Sequence, residues 1–276
     1  MEDRRINEIC YNISMSKVSS IVLTYNEEQN IKDCLASLIP ISDDIFVIDS
    51  FSTDKTVEIA KSLGAKVIQH EFKYHADQVN FALSNINFKN EWIIRLDADE
   101  RLTNESRNEI DDLTTKHLED DVNGIVLRFN FSFMGKELKH GGVYPFRKLS
   151  VFKKRKARVE DKEMDEHFVL DGGKTVKAKY DCEHKDYKGL FEWVAKHNKY
   201  ALRESNDYYK KSLNSKRKFY YSFPSFFRAK LLYLYCLLFK FAWLDGRPGL
   251  IYAYLHTHWY RYLVDCHIYD RKKRNK

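Results

Sequence analysis

The sequence predicts an α/β fold, a mostly parallel sheet with helices on both faces. Three observations carry that reading. Short apolar runs at 18–24, 44–49, 66–70 and 92–96 alternate with stretches of helical spacing. Three of these runs end in polar groups, Thr24-Tyr25-Asn26, Asp49-Ser50 and Asp97-Ala98-Asp99, which right-handed crossovers bring out on one edge of the sheet. No Gly-x-Gly-x-x-Gly and no Gly-Lys-Ser/Thr loop occurs, which argues against the dinucleotide and P-loop versions of the fold.

Taken in order, Val18 to Thr24 is a β-rich run that ends at Tyr25-Asn26-Glu27-Glu28. Behind it Ile31, Cys34 or Leu35, and Leu38 recur at helical spacing, with Asn26 as the expected N-cap. Asp44 to Asp49 is a second strand ending in an acid. Ser50 to Asp54 then turns into a helix with Val57, Ile59 or Ala60, and Leu63 on its apolar side, closed by Gly64. Lys66 to His70 is a third strand. Ala76 to Ile86, with Val79, Leu83 and Ile86 on one face, leads back to the strand Trp92–Leu96.

That fourth strand ends abruptly in Asp97, Asp99 and Glu100. An isolated Asp-x-Asp is most often a solvated loop. Here ligands are expected outside the carboxyl ends of the strands, where two further polar strand ends converge. Two carboxylates at a strand tip can share a divalent cation, and a cation there would replace a glycine-rich cradle as the holder of a diphosphate.

Val22-Leu-Thr-Tyr-Asn-Glu-Glu28, Val47-Ile-Asp-Ser-Phe-Ser-Thr-Asp54 and Leu96-Asp-Ala-Asp-Glu100 together resemble the family 2 glycosyltransferases of GT-A fold, over about residues 18–205. The resemblance implies an inverting enzyme with a nucleotide-sugar donor, a UDP-sugar, and Mg²⁺ or Mn²⁺ as cofactor. Carried over by position, Thr24, Tyr25, Asn26 and Glu27 would line the nucleotide pocket and Asp49 would meet the base. Asp97, with Ala98 beside it, would face the ribose or sugar, and Asp99 would ligate the metal. The family often has Asp-Asp-Gly-Ser after the second strand, where this chain has Asp49-Ser50-Phe51-Ser52, so Ser50 is the weaker match.

Gly124 to Phe131 alternates as a half-buried strand, Phe133 to Gly142 reads as a loop, and Arg147 to Phe152 is another strand. Arg147 is expected at the diphosphate or the acceptor. Inverting transfer needs a general base, for which a partly buried carboxylate suffices. The acids of Glu163-Met-Asp-Glu-His-Phe168 supply candidates, since crowding of like charges disfavours ionisation of one member. The resemblance, strongest toward lipopolysaccharide-core glucosyltransferases, favours Glu166 over Asp165. His184, just after a β-like stretch at 175–180, is expected at the metal or the leaving diphosphate. Lys196 to Glu204 reads as an amphipathic helix with its positive face toward the donor phosphates.

The chain has 276 residues and a formal net charge of +7, with Lys and Arg clustered at 153–158, 210–218 and 271–276. Such clusters imply an anionic partner, and no nucleic-acid-reading motif accompanies them. Five scattered cysteines fit reduced thiols, and the polar stretch 1–17 lacks the apolar core of a signal peptide. From 210 the composition turns basic and aromatic. Leu231 to Phe239 is apolar throughout but far short of the ~20 residues a membrane span needs. Asp245 to Gly249 is expected to break the chain before a helix at 250–269. The resulting organisation is an extension (1–17), a GT-A catalytic domain (18–205) and a helical membrane-associating region (206–276). The expected setting is the inner face of the cytoplasmic membrane, with a lipid-linked or core saccharide as acceptor in lipopolysaccharide or polysaccharide biosynthesis. The alternatives are a nucleotidyltransferase, and a peripheral scaffold with a degenerate donor site.

Overall fold

The apolar runs of the first half become the parallel part of one sheet. The computed structural model describes residues 18–160, 168–209 and 215–274. In it β1 (Val18–Thr24), α1 (Ile31–Leu38), β2 (Ser42–Asp49), α2 (Thr56–Ser62), β3 (Lys66–Gln69), α3 (His75–Asn85) and β4 (Trp92–Asp97) follow one another. The strands lie in the order β3-β2-β1-β4, all parallel. Thr24 is level with Asp49, and Leu23 with Asp97, so the three polar ends do emerge on one edge.

The second half makes the sheet mixed. Its elements are β5 (Glu100–Arg101), α4 (Asn104–Lys116), β6 (Val122–Phe133), β7 (Lys136–Leu138), β8 (Phe146–Lys153), β9 (Ala157–Val159), β10 (Phe168–Leu170) and β11 (Lys174–Lys185). Strand β8 is antiparallel to both β4 and β6, and β11 runs parallel to β6 and antiparallel to β5. Strands β9 and β10 pair separately. Because side chains alternate along a strand, each face acquires its own core. Val22, Ile94 and Leu96 meet Leu35 of α1 and Ile110 of α4 on one face. Ile21, Ile48 and Ile93 meet Ala82 of α3 and Phe88 on the other.

Several local expectations change. Asn26 is not the cap of α1; Asn30 holds that position, and Asn26 sits at φ 53°. Asn tolerates this left-handed conformation, and here it ties two loops together: its N–H donates to Ser52 Oγ (2.8 Å) and its Oδ1 accepts from the Thr53 N–H (2.8 Å). The expected loop 133–142 contains a hairpin of β6 and β7, turned at Met134 and Gly135, both with positive φ. Helix α4 escaped the sequence reading because only one stripe, including Ile110, is apolar; a Thr103–Ser106 capping box starts it. Strand β11 continues through Lys185, so His184 lies inside it.

The C-terminal part comprises α5 (Leu190–Tyr209), α6 (Ser215–Ser222), α7 (Phe227–Leu238), α8 (Gly246–Ala253) and α9 (Tyr260–Arg274). A 3₁₀ turn (Ala242–Asp245) precedes α8, and a π-helical turn (Tyr254–Trp259) joins it to α9. The expected break at 245–249 is therefore a helix start, with Pro248 in the first turn, where its missing N–H is harmless. The 205/206 boundary falls inside α5. Tyr260, Val264 and Ile268 of α9 pack around Ala201 of α5. Beside them Glu204, 1% exposed, accepts from Tyr260 (2.7 Å), Tyr221 (3.1 Å) and Arg261 (2.6 Å). Burial opposes its charge, but Arg261 and these donors win and keep its carboxyl below the usual range. Among the described residues no helix is long and apolar enough to cross a membrane.

Two histidines at this junction predict a pH response. Burial lowers His197 to about 4 and His256 to about 3 from an ordinary 6.5. Both rings thus stay neutral in the folded chain while the unfolded chain takes up protons. Their contribution is complete above pH 6.5 and is lost as pH falls from there toward the folded values. Stability should drop by on the order of 1–2 kcal/mol per ring by pH 5. Urea unfolding at pH 7 and pH 5 checks this. His256→Gln should flatten the slope in that window, and an unchanged slope would remove His256 as a cause.

Candidate active site

The loops after β1 and β2 are locked by an acid. Asp49 is fully buried and accepts from Thr24 Oγ1 (3.1 Å), the Ser52 N–H (2.9 Å) and Gln69 Nε2 (3.3 Å). It ties the two loops together and is not among the residues that line the cleft. Asn26 likewise spends its side chain on Thr53. Thr24, Tyr25, Glu27, Ser50, Asp97, Ala98 and Asp99 do come together, along a cleft of about 250 Å³ that Phe72, His75, Gln78, His184, Lys196 and Tyr200 complete. Tyr25 stands exposed at its rim, while Glu27 is held inward by Lys188 and by Asn30 Nδ2 (2.8 Å). Burial pushes the Glu27 carboxyl up in spite of Lys188.

The two aspartates have separate environments. Asp97 meets Arg95 and His75, and Lys148 Nζ at 3.2 Å. Burial works against its charge, but Arg95, Lys148 and His75 together hold it well below the carboxylate range. Glu100, left without a role by the sequence, is 1% exposed and clamps this cluster: it accepts from the Asp97 N–H (2.9 Å) and from Lys148 (2.6 Å). Asp99 faces His184, whose Nε2 lies 3.2 Å from Oδ2. The β5–β11 register sets this distance by pairing His184 with Glu100. Burial again opposes ionisation of Asp99, and His184 followed by Lys196 overcomes it. Reciprocally, Asp99 raises His184 against the effect of burial.

Arg147 is not in this site. Neighbouring residues of β8 point to opposite faces: Lys148 reaches Asp97, whereas Arg147 is exposed and donates to the Ala178 carbonyl (3.1 Å). Glu166 and Asp165 lie outside the described residues. The sequence reading also passed over His75, Arg95 and Lys148. Arg95 carried a signal, a lone charge inside an apolar strand, and it is 4% exposed in the fold.

Asp99 and His184 would together suit one divalent cation. Their facing oxygen and nitrogen are near enough for both to bind it, and carboxylate with imidazole is a donor pair for Mn²⁺ more than for Mg²⁺. No cluster of three ligating side chains exists among the described residues. An ion held here would complete its shell with water and phosphate oxygens, as diphosphate-bridging cations do.

The profile of glycosyl transferase family 2 matches residues 19–169, more than half of the chain. The chain belongs to glycosyl transferase family 2. It is similar to an uncharacterized glycosyltransferase of Rickettsia typhi, 41% identical over 106 residues, which are 38% of this chain and 36% of the relative. It is also similar to the glycosyltransferase SunS of Bacillus phage SPbeta, 34% identical over 93 residues, 32% of this chain and 21% of that protein. The chain thus spans about a third or less of the length of these curated relatives. Among solved structures, a Pyrobaculum calidifontis mannosyltransferase in complex with GDP-mannose and Mn²⁺ aligns with 93% of this chain and 75% of its own, at 15% identity and a TM-score of 0.46. Glucosyl-3-phosphoglycerate synthase from Mycobacterium tuberculosis, with Mn²⁺ and UDP, aligns with 44% of this chain and 45% of its own, at 20% identity and a TM-score of 0.33. The family 2 core begins at β1 and takes in both acidic strand ends, Asp49 and Asp97-Ala98-Asp99.

Proposed function

We propose that this chain transfers a sugar, with inversion, from a nucleotide-diphosphate sugar, a UDP-sugar, to a saccharide acceptor. The observation that carries the reading is the Asp99–His184 pair beside Asp97, at the mouth of a cleft walled by the β1 and β2 loops. Thr24, Tyr25, Glu27 and Ser50 hold the nucleotide there, and Asp97 orients the ribose or sugar. Asp99 and His184 hold Mn²⁺ or Mg²⁺, which when bound offsets the charge of the leaving diphosphate. The acceptor oxygen attacks the anomeric carbon from the face opposite the diphosphate. Its proton passes to a carboxylate, Glu166 with Asp165 as second choice, and the bond from the anomeric carbon to the diphosphate oxygen breaks.

A screen of UDP-, GDP- and dTDP-sugars for Mn²⁺-dependent thermal stabilisation tests this reading. One donor class is expected to stabilise the chain, and Glu166→Gln should retain that binding while losing transfer. No stabilisation by any donor would count against the function, and retained transfer would move the base to Asp165.

We also infer that the acceptor is lipid-linked or a lipopolysaccharide-core saccharide, met at the inner face of the cytoplasmic membrane. Support comes from α7, where Phe227, Leu231, Leu234, Tyr235 and Leu238 form an exposed apolar stripe at helical spacing, with Lys230 and Lys240 exposed nearby. That combination suits an anionic lipid surface. Leu234→Asp with Leu238→Asp should weaken binding to phosphatidylglycerol vesicles by roughly tenfold or more in a flotation assay. Equal binding would remove α7 as the contact.

A further inference from the structure

A second cavity, of about 520 Å³, adjoins the donor cleft and shares Asp99, His184, Lys196 and Tyr200 with it. Its volume falls within the range of small-molecule sites. Any molecule filling it would present one end to the atoms that surround the donor's reacting centre.

One wall is aromatic and comes from three elements. Phe131 and Phe133 of β6, Trp193 of α5 and Tyr252 of α8 all line it. Tyr252 lies at the centre of this group, with ring centroids 5.0 Å from Phe131, 5.2 Å from Phe133 and 6.1 Å from Trp193. His256 stacks on Tyr252 at 5.2 Å from within the π-helical turn, a kind of irregularity that recurs at functional sites. The cavity is therefore amphiphilic, its aromatic rings adjoining the charged groups through Phe131, whose ring packs edge-on against His184 at 5.2 Å.

We propose that this cavity is the acceptor subsite, built for an uncharged pyranose ring, and that the C-terminal helix α8 supplies part of it through Tyr252. The proposal rests on the glycosyl-transfer reading and adds where the acceptor binds and what class it belongs to. A pyranose presents apolar C–H faces and a rim of hydroxyls. The faces match the aromatic wall, and the rim places one hydroxyl at the Asp99 end. Charge selects against an anionic sugar. His184 lies 3.2 Å from Asp99, and Lys196, also on the lining, is matched there by the Asp186 carboxylate. The C-terminal region is thus part of the active site as well as a surface for lipid.

The test uses the full chain with Mn²⁺ and UDP, and butyl β-hexopyranosides as probes, with butanol and butyl β-glucuronide as comparisons. Saturation-transfer NMR is expected to show saturable binding with contact concentrated on the ring C–H protons. Tyr252→Leu and Trp193→Leu should each weaken it at least tenfold while Mn²⁺–UDP binding is unchanged. Leu190→Asp, at an exposed position on the lining, should weaken it as well and does not depend on repacking the wall. Binding that is equal for butanol, stronger for the glucuronide, or unaffected by these substitutions would overturn the proposal. Absence of Mn²⁺-dependent binding of UDP, GDP and dTDP alike in the unmodified chain would instead overturn the glycosyl-transfer reading, because the sugar titration is read separately.

Discussion

Asp99→Asn is expected to lower sugar transfer by on the order of 10²–10³-fold, with the loss in kcat. The substitution keeps the shape of the side chain and removes its charge. His184 and Lys196, which hold the Asp99 carboxyl ionised, then lose the anion they face. Among the described residues His184 alone would then be left to hold a cation at this point, and the charge of the departing diphosphate would no longer be offset there. Initial rates of nucleotide release at saturating Mn²⁺ measure the loss. Thermal stabilisation by UDP supplies a readout independent of turnover: the increment that depends on Mn²⁺ should vanish, leaving that seen with UDP alone. A variant that keeps the Mn²⁺-dependent increment would place the metal elsewhere, and the Asp97 cluster is where to look next.

The second large effect concerns stability. Arg228 of α7 and Asp265 of α9 are 3% and 1% exposed and form an ion pair. Arg228 Nε also donates to Asp265 (3.0 Å), and Asp265 accepts the Phe226 N–H at 2.7 Å. Asp265→Ala leaves a buried guanidinium without its counter-charge, which costs about 3–5 kcal/mol. The melting temperature should fall by about 10 °C. Asp265→Ala combined with Arg228→Met should recover part of that fall, since it removes the stranded charge while leaving the Phe226 N–H without its acceptor. If the single variant melts with the wild type, the pair does not hold α7 against α9. Donor binding should survive in the folded single variant, because neither Arg228 nor Asp265 lines the donor cleft.

The parallel half of the fold was legible because each strand carries its own signal. Val18–Thr24 and Trp92–Asp97 are apolar runs with polar ends, and Gly64, at φ 82°, closes α2 as its position implied. The second half was less legible. Strands β6, β8 and β11 pair across long separations, and no local pattern states that β8 inserts between β4 and β6. The Phe133–Gly142 stretch looked like a loop because its glycines signal turns equally well inside a hairpin. Arg147 was chosen over Lys148 for a related reason: adjacent residues of a strand point to opposite faces, and which face holds the site depends on the register with β6 and β4.

By itself the sequence determined the α/β class, the single edge at which Thr24, Asp49 and Asp97–Asp99 emerge, and the basic, aromatic character of the C-terminal part. Those are properties of composition and periodicity, which act over a few residues. Only the tertiary structure decided that Asp99 faces His184, 85 positions away, that Glu100, Lys148, Arg95 and His75 hold Asp97, and that Tyr252 closes a cavity against Phe131. The physical reason is common to all three. Strand register and helix docking are set by the summed burial of whole faces. A residue's partner across that packing therefore depends on the whole core rather than on its neighbours in the chain.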